Sequence, residues 1–234
     1  MAKYMLVSFK TCPWVQRSAI ILREKNTPFE LRHIEPDNRP DWFLAISPHK
    51  KVPVLTVDDK VSLFESNAIN EYLDETVEPR LHPADPVERA RNRAWTDYVP
   101  SFASAVTGCA YAANEEAYKK ALEQAPVAFE RLEKALEANG AGPFFNGAKY
   151  SLVDAAYAPF LQRYFFLDRI KPIGQIERRQ ADREHQQKRV HVAGGMVEPG
   201  CEAPRPRVFS GQRVLHRGTS MLRPRRRPAG AYLS

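Results

Sequence analysis

Phe9-Lys10-Thr11-Cys12-Pro13-Trp14-Val15-Gln16-Arg17 is the stretch around which the chain is organised. An apolar run, Tyr4 to Ser8, leads into it, and a helical pattern from Pro13 leads out of it. Cys12 therefore sits at a strand-to-helix turn. Pro13 falls at the first helical position, where its missing N–H costs nothing. A thiol in that place faces unpaired backbone N–H groups and the positive end of a helix dipole, and both favour thiolate over thiol. The spacing predicts a Cys12 pKa well below that of a free thiol, with Lys10 and Arg17 adding positive field. A lone cysteine is more often a buried small hydrophobe. The Cys-Pro step directly after a strand favours the reactive reading.

Composition narrows the class. The 234 residues suffice for one large or two modest domains, and 43% hydrophobic with 27% charged residues is the balance of a soluble globular protein. No apolar run approaches a membrane span, and the start of the chain lacks a signal-peptide layout. Cys12, Cys109 and Cys201 are odd in number and far apart, which argues for a reducing cytosol and against a disulfide framework. No Cys/His spacing suggests zinc, so no metal is expected. The net charge of +7 is uneven: residues 178–234 hold 12 Arg and one Lys against four acids, a net of +9, which leaves −2 for the rest. The basic balance describes the tail, and nucleic acid is not an expected partner of the folded part.

Read in order, the chain gives a buried strand at Tyr4–Ser8, a helix from Pro13 to Asn26 and a second strand at Phe29–Ile34, a βαβ opening. A short helix at Asp41–Ile46 follows. Val52–Val57 and Val61–Phe64 read as strands joined by a turn at Asp58-Asp59, and Ser66 caps a helix to about Glu75. The proline-rich stretch 78–86 reads as a linker. Long helices are expected from Pro86 to Ala113 and from Glu115 to Asn139, the latter with Tyr118, Leu122, Ala125, Phe129, Leu132 and Leu136 on one stripe and Pro126 inside it. Ser151 to Asp154 resembles a capping box opening a helix to about Asp168. The order βαβαββα is a thioredoxin-like layout, followed by an all-helical part.

Five blocks carry a resemblance: Cys12 to Arg17, His49 to Leu55, Glu65 to Ile69, Leu81 to Pro86 and Ser151 to Ala156. In this order and spacing the chain resembles cytosolic glutathione S-transferases, above all the cysteine-type omega-like and tau-like classes, over about residues 1–176. The resemblance implies the glutathione-transferase fold, with a thioredoxin-like domain at 1–77, a linker at 78–86 and a helical domain at 87–176. It implies glutathione as co-substrate, a small electrophile or disulfide as second substrate, a homodimer and a cytoplasmic location. It also implies roles for residues. Pro53 would be cis, turning the Val52 backbone toward the cysteinyl part of glutathione. The Ser66 N–H and hydroxyl would take the γ-glutamyl carboxylate, with Glu65 near the ammonium. Lys51 and Arg39 would meet the glycine carboxylate, and either could equally be a solvated surface charge. Arg17 has two open readings, an inter-helix salt bridge or a field on Cys12. Cys109 is expected inside the first long helix, and Ser151 with Asp154 is a folding device without a ligand role.

Two departures shape the functional expectation. Tyr- and Ser-type transferases carry a hydroxyl where this chain has Cys12, and a cysteine there tends to form a mixed disulfide with glutathione. Val15 replaces the second cysteine of a Cys-x-x-Cys pair, so a second glutathione must resolve that disulfide. Thiol transfer and reduction are the expected reactions, with conjugation weaker. The second departure is at residues 177–234, where the expected amphipathic helices give way to aperiodic Gly, Pro and Arg text such as Arg223 to Pro228. It reads either as a disordered basic tail or as GC-rich coding sequence out of frame, and in either case Phe160, Tyr164 and Leu167 would lose cover. Two other functions stay open: a binding or regulatory protein of the same fold with little turnover, and a nucleic-acid-associated protein that rests on the tail alone.

Overall fold

The computed structural model describes residues 3–140 and 142–170. The expectations for residues 177–234, including Cys201, lie outside the described residues. The first part is built from β1 (Tyr4–Ser8), α1 (Pro13–Glu24), β2 (Phe29–His33), α2 (Asp41–Ile46), β3 (Val54–Val57), β4 (Val61–Phe64) and α3 (Ser66–Thr76). The second is helical: α4 (Pro86–Thr107), α5 (Glu115–Ala138) and α6 (Leu152–Ile170).

The sheet runs β2-β1-β3-β4. β1 pairs parallel with β2 and antiparallel with β3, and β4 returns antiparallel on β3. The two central strands are buried along their whole length, as their unbroken apolar runs require. The β3–β4 turn places Asp58 and Asp59 at φ 51° and 54°, the left-handed pair that a tight hairpin needs. Val52–Pro53 is cis, as expected, and Glu78–Pro79 is cis as well. β3 begins only after Pro53, at Val54, because proline has no N–H to give the ladder.

Caps fix the helix starts. Asp85 accepts hydrogen bonds from the N–H groups of Val87 and Glu88, and Asn114 accepts from Ala117. Asp154 accepts from Ser151 N–H and Oγ and, across the turn, from Phe145 N–H, so the motif before α6 is the folding device expected of it. One boundary differs from expectation by more than two residues. Thr107 bonds its hydroxyl to the Ala103 carbonyl and Gly108 follows, so α4 stops six residues short of Ala113. Cys109 accordingly lies beyond the helix, half-buried, not within it.

The two parts share one core. Phe102 and Tyr157 meet at 4.9 Å, and Phe129 meets Tyr164 at 4.8 Å. Trp14 of α1 packs edge-on against Phe160 of α6 at 4.8 Å. Phe160 and Tyr164 are buried, contrary to the loss of cover expected for them, Leu167 is half-buried, and the exposed aromatics of α6 are Phe165 and Phe166. The connection between the parts is clamped by a fully buried ion pair. Lys25 Nζ lies 3.0 Å from Asp74 and donates to the carbonyls of Val77 and Pro79. Asp74 in turn accepts from the N–H groups of Leu81 and His82.

Candidate functional site

Cys12 is the residue that precedes α1, in extended conformation, with Pro13 next. Its carbonyl accepts from Gln16 N–H, and its own N–H donates to Phe9, which closes the turn after β1. The sulfur makes no capping hydrogen bond of full geometry, yet the N–H dipoles of Val15 and Trp14 favour its ionised form. The depressed thiol expected from the sequence is not what results. Burial pushes the Cys12 thiol above its ordinary value, and the Val15 and Trp14 dipoles together with the charge of Arg163 offset only part of that.

The positive field also comes from a different place than expected. Lys10 pairs with Glu35 at 3.6 Å in an exposed bridge. Arg17 is 2% exposed and its guanidinium is engaged by the start of α3. Its Nη1 donates to Ser66 Oγ at 3.0 Å and its Nη2 to Asn67 Oδ1 at 3.1 Å, while Asn67 Nδ2 donates to Asp97 of α4 at 2.5 Å. So Arg17 makes neither the salt bridge nor the field on Cys12 considered for it. Burial lowers its pKa to about 10, a sign of a cation poorly compensated within the protein.

Arg17 bears on the chemistry of Ser66. Because Ser66 Oγ accepts from a guanidinium, its own proton is free to be donated outward. Ser66 is not the N-cap that the sequence suggested but the first residue of α3. The capping position is Glu65, at φ 67° and ψ 116°, a region that L-residues seldom occupy and that tends to mark functional sites. The Ser66 hydroxyl, the N-terminus of α3 and a buried cation thus meet at one point. That donor set suits a carboxylate, which is the test of fit for a γ-glutamyl group.

The remaining candidates form a rim. Val52 is buried beside the cis bond. Lys51 is exposed, with its backbone N–H and C=O both bonded to the Ser47 hydroxyl. Arg39 uses Nε on the Pro36 carbonyl and Nη1 on the Lys50 carbonyl, so part of its guanidinium is already spent holding the loop. Arg163 was missed by sequence reasoning. It reaches from α6 to the Thr11 carbonyl and to Gln16 Oε1, and a contact between residues 152 positions apart leaves no local signal. No helix of the described residues is long and apolar enough to cross a membrane, and no metal-ligating cluster occurs among them.

With this geometry in view, the chain can be set beside known proteins. The family model "Glutathione S-transferase, N-terminal domain" matches residues 6–81, and "Glutathione S-transferase, C-terminal domain" matches residues 115–183. A probable glutathione transferase omega-2 of Caenorhabditis briggsae is 35% identical over 173 residues, which cover 72% of this chain and 67% of that one. Glutathione S-transferase U17 of Arabidopsis thaliana is 35% identical, over 67% of this chain and 71% of its own. Among solved structures, the tau-class enzyme of mango superposes with a TM-score of 0.66 at 31% identity, covering 72% of this chain and 78% of that one. The structure of rice GST1 in complex with glutathione gives 0.62 at 30% identity, covering 71% of this chain and 78% of that one. The chain belongs to the glutathione S-transferase family. It spans about two thirds of the length of the omega-class relatives, 65% in the case of glutathione S-transferase omega-1 of Rattus norvegicus.

Proposed function

We propose that the protein is a glutathione-dependent thiol transferase that reacts through Cys12, with conjugation of glutathione to electrophiles as a weaker activity. One observation carries this reading: a thiol, not a hydroxyl, occupies the position before α1, under the N–H dipoles of Trp14 and Val15 and beside a cation. The Cys12 thiolate attacks the glutathione sulfur of a mixed disulfide, RS–SG. A Cys12–SG disulfide forms and RS⁻ leaves, taking up a proton from solvent. A second glutathione thiolate then attacks the glutathionyl sulfur, releasing oxidised glutathione and restoring the Cys12 thiolate.

The binding roles follow from the site. Ser66 and the free N–H groups of α3 take the γ-glutamyl carboxylate, with Glu65 near the ammonium. The Val52 main chain before Pro53 pairs with the cysteinyl part. Lys51 and Nη2 of Arg39 serve the glycine carboxylate. The second substrate is a small disulfide or electrophile, the protein works as a homodimer in the cytoplasm, and the glutathione-binding part ends at residue 77. A second reading has one observation in its favour. Burial holds Cys12 toward the neutral thiol, which suits a binding protein of this fold with little turnover. Turnover of a mixed disulfide between glutathione and a small thiol, compared between the wild type and Cys12→Ser, separates the two. The transferase reading requires turnover that is lost in the variant; no turnover by the wild type refutes it.

A further inference from the structure

α6 contributes a cation to the Cys12 turn. Arg163 Nη1 donates to Gln16 Oε1 at 2.6 Å and to the Pro159 carbonyl at 2.9 Å, and Nη2 donates to the Thr11 carbonyl. Every one of these acceptors is neutral, and no carboxylate among residues 3–140 and 142–167, whose side chains are described, pairs with Arg163. Among those residues nothing cancels the charge where it sits, half-buried against the residue that precedes the thiol. A structural arginine in such a place would normally find an acid, because a half-buried cation costs desolvation that a neutral acceptor offsets poorly.

We infer that Arg163 is a positioning residue for Cys12: its fork fixes the Thr11 carbonyl and the first turn of α1, and its charge stabilises the thiolate. The inference rests on the reading of Cys12 as the reacting thiol. Other charged groups near the turn do not substitute. Lys10, in the turn itself, is paired with Glu35, and Arg17, further along α1, is spent on Ser66 and Asn67. Tyr111, after α4, is the other group among the described residues that acts on Arg163, and it is 82% exposed. The pull of Arg163 on the thiol runs against the effect of burial, so Arg163 limits a shift that would otherwise be larger.

This placement has a further consequence. The thiolate's counter-charge comes from the helical part of the chain, so the reactivity of Cys12 depends on the seating of α6 as well as on the turn. Trp14 on Phe160, and Arg163 on Thr11 and Gln16, carry that dependence.

The test is the pH profile of Cys12 alkylation by iodoacetamide, read by peptide mapping, which needs no glutathione. Arg163→Gln and Arg163→Met should move the midpoint up by about one pH unit, a roughly tenfold slower alkylation at neutral pH. Arg163→Lys should keep the midpoint near that of the wild type, because the charge remains, yet slow disulfide turnover, because an ammonium cannot fork between Thr11 and Gln16. A midpoint unchanged in the Gln variant, or shifted equally in the Lys and Gln variants, overturns the inference. If the Gln and Met variants do not fold, the Lys variant decides alone: wild-type turnover in it overturns the positioning role. Failure of the wild type to form a glutathionyl adduct would refute the Cys12 reading and leave the alkylation result standing by itself.

Discussion

Ser66→Ala removes an oxygen that serves Arg17 and, in the proposed function, the ligand as well. In the free protein Ser66 is 6% exposed and its Oγ accepts from Arg17 Nη1 at 3.0 Å. On the proposed binding role, its hydroxyl donates a hydrogen bond to the glutathione carboxylate. A hydrogen bond to a charged group contributes about 1.5–3 kcal/mol, so glutathione affinity should fall roughly 10- to 150-fold. The substitution also strips Arg17 of one acceptor, beside an Nε that already lacks a partner among the described residues. Leaving a buried donor unsatisfied costs about 1–3 kcal/mol, a fall in Tm of about 2–12 °C for a chain of this size. Ser66→Thr keeps the hydroxyl and should keep most of both. Calorimetry with reduced glutathione reads the first effect and a thermal melt the second. Unchanged affinity alongside a lowered Tm would reduce Ser66 to a partner for Arg17 and refute its role toward the ligand. Unchanged values of both would refute the argument from the hydroxyl altogether.

Two further outcomes are expected. Because burial raises the Cys12 thiol, its alkylation rate should still be climbing at and beyond about pH 8.5, the free-thiol value, and a plateau below that value would contradict the stated balance. The linked effect on folding has the same sign: the native state holds this proton more tightly than the unfolded chain, so the contribution of Cys12 to stability is complete below the unfolded pKa and is lost as pH rises through the folded one. Lys25→Met should cost about 3–5 kcal/mol, since it leaves the buried Asp74 carboxylate without its counter-charge, and adding Asp74→Leu should restore part of the loss. A Tm within about 2 °C of the wild type for the single variant would mean that the clamp on residues 77–79 does not hold the connection.

Much of the fold could be read locally. Period-two and buried apolar runs located β1 and β4 to the residue, and Pro13, Asp41 and Pro86 located helix starts, because these signals act within one or two turns of chain. Errors fell where a side chain bonds its own backbone or where the connection is non-local. Thr107 and Gly108 ended α4 early, and Glu65 at positive φ displaced Ser66 from the cap. At the site, Cys12 and the Glu65-Ser66 step were visible as residue types beside helix starts. Their electrostatics were not visible. The rule that a helix start lowers a thiol pKa ignored burial, which tertiary packing sets and no local signal records. Arg17 to Ser66, Arg163 to Thr11 and Lys25 to Asp74 each join distant positions, and no periodicity records them.

The central claim is that Cys12 forms the disulfide with glutathione. Mass spectrometry of the wild type treated with oxidised glutathione, digested without reductant and mapped by peptide, tests it most directly. The claim predicts one glutathionyl adduct on the peptide that contains Cys12, removed by added reduced glutathione and absent in Cys12→Ser. An adduct confined to Cys109 or Cys201, with Cys12 recovered as free thiol, would contradict it.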